Sequence, residues 1–309
     1  MKATVLTGGV GGAKFVLGMK ACGLVDDLAA IVNTGDDFRH MGLHVSPDID
    51  TLLYALSGKD NKAQGWGRDG ETWSFLDAVR SLGGPDWFRL GDGDLALHVL
   101  RSEKLANGLR LSQITAQFSA AWDVGVTVLP MSDDPVETFL ATDEGELAFQ
   151  HYFVERQCRP AVRRIWFEGA GRAKPAPGVI DALMTADAVF VAPSNPYLSI
   201  DPILSIDEIG MALRDTPAPV VVISPLVGGK AVKGPTAKLM AELGVPANNE
   251  AIAAHYAPFA DAMLHDAGDD APSALRTLAT STLMLDLEDR KRVAVAALRL
   301  AAIADRRPR

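Results

Sequence analysis

Four short apolar runs, each followed at once by glycine or small polar residues, constrain the fold of this chain more than any other feature. The runs occupy residues 3–6, 28–32, 188–192 and 220–223, and segments with helical spacing of apolar residues follow them. A parallel sheet covered by helices on both faces requires such valine- and isoleucine-rich runs between helices. We therefore predict a Rossmann-like α/β fold, with a mostly parallel sheet covered by helices.

Residues 57–120 interrupt this alternation with glycines, tryptophans and short helical patterns. We predict that they form an inserted, mainly helical lobe within a single α/β domain of residues 1–309. Further strands are predicted at residues 124–129, 147–154 and 162–167. From Leu287 onwards the composition indicates a helix that packs on the core and takes part in assembly, and we expect a homodimer.

Charge and cysteine content narrow the possible partners. The formal net charge of -9 and the pI of about 5.2 disfavour binding to nucleic acid or to anionic membranes. The two cysteines, Cys22 and Cys158, lie far apart without metal-binding spacing, which favours a reducing compartment and no structural zinc. No apolar stretch is long enough to span a bilayer. We expect a cytoplasmic protein with small-molecule substrates.

A glycine-rich loop follows the first predicted strand and contains Gly9, Gly11, Gly12 and Lys14. Glycines before a helix let the backbone approach an anion, and the helix N-terminus offers unpaired amides. The spacing differs from the dinucleotide fingerprint, because Lys14 stands where that motif has its last glycine, and it differs from the Walker A loop. A phosphate site and a tight turn needing positive φ explain this loop about equally well.

A second glycine-rich loop, with Gly228, Gly229 and Lys230, follows the strand predicted at residues 220–223 and precedes a predicted helix. Two such loops after two strands of one sheet favour a phosphate site. Lys230 and Lys233 are candidates to neutralise phosphate charge, with an exposed surface lysine as the alternative for either.

Four aspartates follow the second predicted strand, namely Asp36, Asp37, Asp48 and Asp50. Acidic residues near a helix start are favoured by the helix dipole, which alone would explain Asp48. Four carboxylates beside a phosphate site repel one another unless a cation lies among them, and oxygen ligands favour Mg²⁺. The sequence therefore predicts a Mg²⁺ site that uses Asp36, Asp37 or Asp50.

Two further groups are candidates for ligand contact. Asn195 follows the third predicted strand, where it can bind a base or a ribose, although an Asx turn explains it almost as well. Arg89 lies among aromatic residues of the predicted lobe, where a surface salt bridge is its alternative role. The aromatic residues, for most of which core packing is favoured over stacking on a heterocycle, are Trp66, Trp73, Trp87 and Phe88.

Seven longer blocks combine these residues with their neighbours. They are TGGVGGAKF (residues 7–15), NTGDDFRHMGLHVSPDIDT (33–51), WFRLGDGDLALH (87–98), LPMSDD (129–134), FQHYFV (149–154), APSNPYLSIDPIL (192–204) and SPLVGGKAVKGPTAKLM (224–240). Together they resemble the 2-phospho-L-lactate or phosphoenolpyruvyl transferase (CofD-like) family of coenzyme F420 biosynthesis. The resemblance covers most of the chain in the same order.

The resemblance implies that the donor is a C3 acid linked to guanosine diphosphate and that the acceptor is Fo, a deazaflavin with a ribityl side chain. The ribityl hydroxyl would attack the phosphorus nearest the C3 acid and release GMP. Asp50 and Arg89 match residues that contact the deazaflavin, and Mg²⁺ is required near the acidic loop. The glycine-rich loops, Ser194 and Asn195 would hold the guanosine diphosphate part.

This chemistry agrees with the candidate residues, since phosphoryl transfer depends mainly on positioning and charge neutralisation. A Mg²⁺ ion held by the aspartates would offset the charge on the transferred group and on GMP. Asp37 and Asp50 are thus the predicted catalytic residues, and Asp50 would also orient or deprotonate the hydroxyl.

One position departs from the family pattern, because Gly93 stands where many members have an arginine. A phosphate or acid contact is therefore missing or supplied elsewhere, and the C3 acid stays open among 2-phospho-L-lactate, phosphoenolpyruvate and phosphoglycerate. The main alternative is a non-enzymatic, nucleotide-sugar-binding regulator of a related α/β family. A nicotinamide-dependent dehydrogenase is disfavoured by the absent fingerprint.

Overall fold

The computed structural model describes residues 1–231 and 234–304. Lys233, a candidate phosphate ligand, lies outside these residues. None of the helices within the described ranges is long and apolar enough to cross a membrane.

The first part of the chain alternates strands and helices before an entirely helical stretch. Its elements are β1 (Lys2–Thr7), α1 (Gly9–Ala21), β2 (Asp27–Val32), β3 (Phe38–His40), β4 (Leu43–Val45), α2 (Pro47–Ser57), α3 (Ser74–Ser81), α4 (Asp92–Ala106) and α5 (Leu111–Ala121). Helix α2 has Ser46 at its N-cap and Pro47 in its first turn, where the missing proline N–H costs no hydrogen bond.

The second part adds a small antiparallel sheet and then returns to the main sheet. Its elements are β5 (Thr127–Pro130), β6 (Glu137–Thr142), β7 (Gly145–Ala148), β8 (Val162–Glu168), α6 (Val179–Met184), β9 (Ala188–Val191), α7 (Asp201–Leu204), α8 (Asp207–Asp215), β10 (Val220–Ile223), β11 (Leu226–Val227), β12 (Lys230–Ala231), α9 (Thr236–Glu242), α10 (Asn249–Tyr256), β13 (Ala262–Asp266), β14 (Arg276–Thr280) and α11 (Leu287–Ile303). Two π-helical turns, His151–Glu155 and Pro196–Ile200, follow β7 and β9.

The main sheet has seven parallel strands in the order β14-β13-β10-β9-β1-β2-β5. From β1 the chain builds outward to β2 and β5, then crosses to β9 and builds outward in the opposite direction. The strand order therefore reverses between β1 and β9, and ligands of such sheets bind in the crevice at the carboxyl ends of these two strands. The predicted Rossmann-like fold is confirmed.

Helices cover the sheet on both faces. Val5 of β1 belongs to one buried cluster and the next residue, Leu6, to the other, because successive strand side chains point to opposite faces. The predicted lobe region contains three helices, but Ile114 and Phe118 of α5 share the buried cluster of Val5. Helix α5 therefore packs on the core, and a separate lobe at residues 57–120 stays a prediction.

The C-terminal helix α11 packs on α1, as predicted. A Cβ atom on Gly18 of α1 would lie 2.6 Å from the carbonyl carbon of Arg290, so only glycine permits this approach. Lys14 also donates a hydrogen bond of 2.8 Å to the carbonyl oxygen of Met284, just before α11.

The strand predicted at residues 147–154 is wrong beyond Ala148. A π-helical turn follows, and its Tyr152 is buried against Leu140 and Leu198. Short apolar runs do not distinguish a strand from a buried helical turn. The segment with helical spacing that follows the run at residues 188–192 forms two helices, α7 and α8.

Candidate active site

The glycine-rich segment lies at the point where the strand order reverses. Gly8 is the N-cap of α1, so Gly9, Gly11, Gly12 and Lys14 belong to the first turns of this helix instead of to a loop. A Cβ atom on Gly11 would lie 2.6 Å from the carbonyl oxygen of Pro193, and one on Gly12 2.7 Å from Ser194 Oγ. These two glycines therefore allow the start of α1 to pack against the segment after β9.

Ser194 and Asn195 hold this packing together. Ser194 Oγ donates a hydrogen bond of 2.8 Å to the carbonyl oxygen of Gly8. Asn195 Oδ1 accepts hydrogen bonds from the backbone of Tyr197 at 3.0 Å and Leu198 at 3.2 Å, which is an Asx turn. Asn195 Nδ2 is buried without a hydrogen-bond partner in the described part of the chain. This side chain thus combines the structural role with a donor left for a ligand.

The second glycine-rich segment has a different structure from the one predicted. Gly228 (φ 61°) and Gly229 (φ 68°) form the turn between β11 and β12, where positive φ favours glycine. Gly229 N donates a hydrogen bond of 2.5 Å to Asp269 Oδ1, and Lys230 is exposed. The prediction of a glycine loop leading directly into a helix is wrong here, and phosphate contact by these three residues stays a prediction.

The acidic loop after β2 contains buried oxygens without partners. Asp37 Oδ2 accepts hydrogen bonds from Ser46 Oγ at 2.7 Å and pairs with His44 Nε2 at 3.0 Å. Asp37 Oδ1, Asp36 Oδ1 and Thr34 Oγ1 are buried without a hydrogen-bond partner within the described ranges. Burial, reinforced by the charge of Asp48, raises the pKa of Asp36 well above its ordinary value. The unpartnered oxygens of this loop are therefore open to a proton or to a cation.

Asp48 connects the acidic loop to the glycine-rich helix start. Its Oδ1 accepts a hydrogen bond of 2.7 Å from Gly9 N, and its Oδ2 one of 3.0 Å from Asn33 Nδ2. Burial raises the pKa of Asp48 to about 6, although both hydrogen bonds oppose this shift. Asp48 thus interacts with the N-terminus of α1 as well as standing near the start of its own helix.

Asp50 has a partner that sequence reasoning missed. Arg101 of α4 binds both carboxylate oxygens of Asp50, with its Nη1 3.2 Å from Oδ2, and the two residues are 1% and 3% exposed. Burial raises the pKa of Asp50 even beside this guanidinium. Asp94, His98 and Arg101 share one face of α4 because they are spaced four and three residues apart, and this spacing is the signal that could have revealed the group.

A cavity of about 170 Å³ lies in the predicted lobe, beside this network. Its lining includes Trp66, Arg68, Glu71, Trp73, Arg89 and Asp94. The Arg89 guanidinium stacks 4.3 Å from the centre of the Trp73 ring. Trp87 and Phe88 instead pack on His40 and Phe38 of the β3–β4 hairpin, where both are partly buried, and core packing stays a prediction for these two aromatic residues.

Arg68 occupies the space beside Gly93. A Cβ atom on Gly93 would lie 2.6 Å from Arg68 Cζ, so a larger residue at position 93 would displace this guanidinium. The Arg68 side chain thus lies next to position 93, where many members of the predicted family have an arginine.

The residues present fit a Mg²⁺ ion only in part. Asp36 and Asp37 each have a buried oxygen without a partner in the described residues. One or two carboxylates completed by substrate phosphates and water are the usual Mg²⁺ ligands. No group of three or more His, Cys, Asp or Glu side chains is arranged for a metal ion among residues 1–231 and 234–304. Asp50 would have to leave Arg101 to bind a metal, so its metal role stays a prediction.

A glycine-rich helix start, a carboxylate loop and a strand-order reversal at one sheet edge are typical of α/β proteins that bind phosphorylated ligands. Comparison with known proteins narrows this class. The family model described as 2-phospho-L-lactate transferase CofD matches residues 3–302, and the chain belongs to this family.

Individual relatives agree with this assignment. The chain is 43% identical to a phosphoenolpyruvate transferase from Kitasatospora aureofaciens, over 97% of this chain and 98% of the relative. It is 38% identical to a 2-phospho-L-lactate transferase from Methanopyrus kandleri, over 97% of each chain. A solved structure of a UPF0052 family member from Bacillus halodurans has a TM-score of 0.64 and 18% identity, covering 96% of this chain and 100% of that chain. This last similarity concerns the fold alone.

Proposed function

We propose that the chain transfers a phospho-C3 acid from a guanosine diphosphate-linked donor to the ribityl hydroxyl of Fo and releases GMP, in coenzyme F420 biosynthesis. The observation that carries this proposal is Asp48, which joins the glycine-rich start of α1 to the acidic loop through Gly9 N and Asn33 Nδ2. An anion-binding helix start is thereby fixed beside carboxylates that favour a cation. Phosphoryl transfer needs this combination.

The donor would bind at the strand-order reversal. The amides at the start of α1 would contact the diphosphate, and Asn195 Nδ2 would donate to the base or the ribose. Asp36 and Asp37 would hold Mg²⁺ through their unpartnered oxygens. Bound there, Mg²⁺ would neutralise charge on the phosphate oxygens.

The acceptor would bind in the cavity of the predicted lobe. Trp66 and Trp73 offer flat faces for a deazaflavin ring, and Arg89 offers hydrogen-bond donors beside them. Arg68, packed on Gly93, would supply the guanidinium that the family pattern places at position 93. Direct contact between Asp50 and the deazaflavin would require the Asp50–Arg101 pair to open.

Phosphoenolpyruvate is the first C3 acid to test, because relatives of up to 43% identity are named phosphoenolpyruvate transferases. We further propose a cytoplasmic, homodimeric enzyme. Both cysteines are free thiols, which suits a reducing compartment.

The decisive experiment mixes purified protein with Fo, Mg²⁺ and each guanosine diphosphate-linked C3 acid in turn and follows the products by mass spectrometry. We expect Fo carrying the phospho-C3 acid and one GMP per product molecule. Matched controls replace guanosine by adenosine in the donor and Mg²⁺ by EDTA, and both should suppress transfer. Folded protein that transfers none of the C3 acids would refute the proposal, and binding of a nucleotide sugar without binding of Fo would favour the regulator.

A further inference from the structure

Two carboxylates line the lobe cavity, and they differ in how far their oxygens are occupied. The Glu71 side chain is 8% exposed, and its oxygens accept from Arg68 Nη1 at 3.1 Å and Gly93 N at 2.7 Å. The Asp94 side chain is 20% exposed. Asp94 is therefore the carboxylate with more room for a ligand.

Two side chains lie behind Asp94, and one of them, Tyr54, makes a hydrogen bond that orients it. Tyr54 OH donates to Asp94 Oδ1, and His98 Nε2 lies 3.2 Å from Asp94 Oδ2. Arg101 Nη1 lies 3.3 Å from His98 Nδ1. His98 Nδ1 also lies 3.6 Å from Asp50 Oδ2, and His98 Nε2 is buried without a hydrogen-bond partner among the described residues. Tyr54 therefore supplies the hydrogen bond that orients Asp94, and His98 packs beside it. Each carboxylate oxygen has a second lone pair, so Asp94 can accept one more hydrogen bond.

The protonation states suit this arrangement. Burial disfavours the charged form of Asp94, but its interactions with His98, Tyr54 and Arg101 outweigh burial and lower the pKa of Asp94 below its ordinary value. Burial and the charges of Asp50 and Asp94 raise the pKa of Tyr54 far above its ordinary value, so Tyr54 remains a donor. Asp94 thus stays an acceptor at neutral pH.

We propose that Asp94 is the catalytic carboxylate that binds the reacting hydroxyl of the acceptor in the lobe cavity, with Tyr54 and His98 as positioning residues. The inference rests on the proposed function. As the hydroxyl oxygen bonds to phosphorus, its proton passes to Asp94. The bond from that phosphorus to the bridging oxygen breaks, and the electron pair leaves with GMP.

This inference gives Asp50 a different role from the one predicted. The Asp50 side chain is 5% exposed and is bound at both oxygens by Arg101, which leaves it less accessible than Asp94. Asp50 acts through Arg101, which also contacts His98 Nδ1 and the carbonyl oxygen of His44. It is a positioning residue, separated from the hydroxyl by Arg101, His98 and Asp94.

The test compares kcat, the KM for the donor and the affinity for Fo, which is read from deazaflavin fluorescence. Asp94→Asn keeps the shape of the side chain but cannot take the proton, so kcat should fall about 100-fold or more while donor KM and Fo affinity change less than about threefold. Tyr54→Phe removes one orienting donor and should lower kcat about tenfold with the same pattern. Glu103→Gln, an exposed carboxylate-to-amide change on the same helix, is the matched control and should retain wild-type kcat.

The outcomes separate the two proposals. If wild-type protein transfers no C3 acid, the proposed function fails and this inference fails with it. If wild-type protein is active and Asp94→Asn keeps more than about a third of its kcat, only the inference is overturned. Should circular dichroism show that Asp94→Asn is unfolded, Tyr54→Phe decides, because unchanged kcat in that variant overturns the inference.

Discussion

Two groups of aspartates lie close together in sequence but in opposite electrostatic surroundings. The switch-point carboxylates, named for the strand-order reversal, are Asp36, Asp37 and Asp48, of which Asp48 contacts the glycine-rich start of α1. The described residues give neither Asp36 nor Asp48 a cationic side chain as partner. The network carboxylates, Asp50 and Asp94, are bound by Arg101, His98 and Tyr54. Arg101 and Tyr54 bind the oxygens of the network carboxylates. Asp36 and Asp37 of the switch-point group each retain a buried oxygen without a partner in the described residues.

The difference shows how one helix can serve two purposes. Asp48 and Asp50 are two residues apart in α2, so their side chains leave the helix in different directions. Asp48 faces the switch point, where a cation and phosphates would complete the charge balance. Asp50 faces α4, where the Arg101 guanidinium already balances the charge of Asp50. A carboxylate whose charge is neutralised by the protein, such as Asp50, keeps the helices in place. A carboxylate without a cationic partner, such as Asp48, favours a bound ligand.

Breaking the network should have the largest effect. Arg101→Met leaves Asp50 buried without its cation, and we expect a loss of about 3–5 kcal/mol in the free energy of unfolding, measured by urea denaturation. Adding Asp50→Asn to Arg101→Met should recover part of this loss, because the orphaned charge is removed. A loss below about 1 kcal/mol in the single variant would contradict a tightly paired Asp50.

The switch-point group should make stability depend on pH in metal-free protein. The pKa of Asp48 rises from 3.8 unfolded to about 6 folded, so its contribution is full below the unfolded pKa and is lost as pH rises through about 6. The loss attributable to Asp48 is about 3 kcal/mol. Urea unfolding between pH 4 and 7 in EDTA should show this decline in wild-type protein and a flatter profile in Asp48→Asn. Equal pH profiles of stability for the two proteins would show that the pKa of Asp48 is not raised in the folded state.

The packing beneath the switch-point group can be tested separately from its charge. Gly11→Ala places a Cβ atom 2.6 Å from the carbonyl oxygen of Pro193, and we expect a loss of about 2 kcal/mol in the free energy of unfolding. Gly171→Ala adds the same methyl group where no atom lies within 4 Å, and it should change stability by less than about 0.5 kcal/mol. Equal effects from both variants would show that α1 tolerates the added atom.

The smallest expected effect is that of Asp36→Asn on stability, and its sign should differ between metal-free and Mg²⁺-bound protein. Asp36→Asn removes a buried charge, so metal-free protein should gain about 1 kcal/mol in stability. At the proposed metal site Mg²⁺ should raise the Tm of the wild-type protein, and Asp36→Asn should abolish this rise. Glu103→Gln should leave both quantities unchanged. A full Mg²⁺ response in Asp36→Asn would remove this residue from the metal site.

The sequence predicted features that depend on local chemistry. Residues 220–223 form β10 as expected, because an unbroken run of buried valine and isoleucine leaves few other structures. The placement of Asp36 and Asp37 after β2 follows from the same reasoning. Gly228 and Gly229 were harder to interpret, because glycine after a strand suits both an anion loop and a hairpin turn.

Contacts between distant elements could not be predicted. The pairing of Asp50 with Arg101 depends on how α2 docks against α4, and no local pattern specifies that docking. The aromatic residues illustrate the same limit. Trp73 and Trp87 flank one segment, yet one lines the cavity and the other packs on the β3–β4 hairpin. Their positions follow from tertiary packing alone.

The packing of α11 on α1 has a consequence for the synthesis of the chain. Lys14 and Met284 are 270 residues apart, yet they fix the helix whose start forms the switch point. Contacts of such long range close late in folding. On a nascent chain, α1 therefore lacks its contact with α11 until that helix has left the ribosome, and Asp48 and Ser194 hold its first turn.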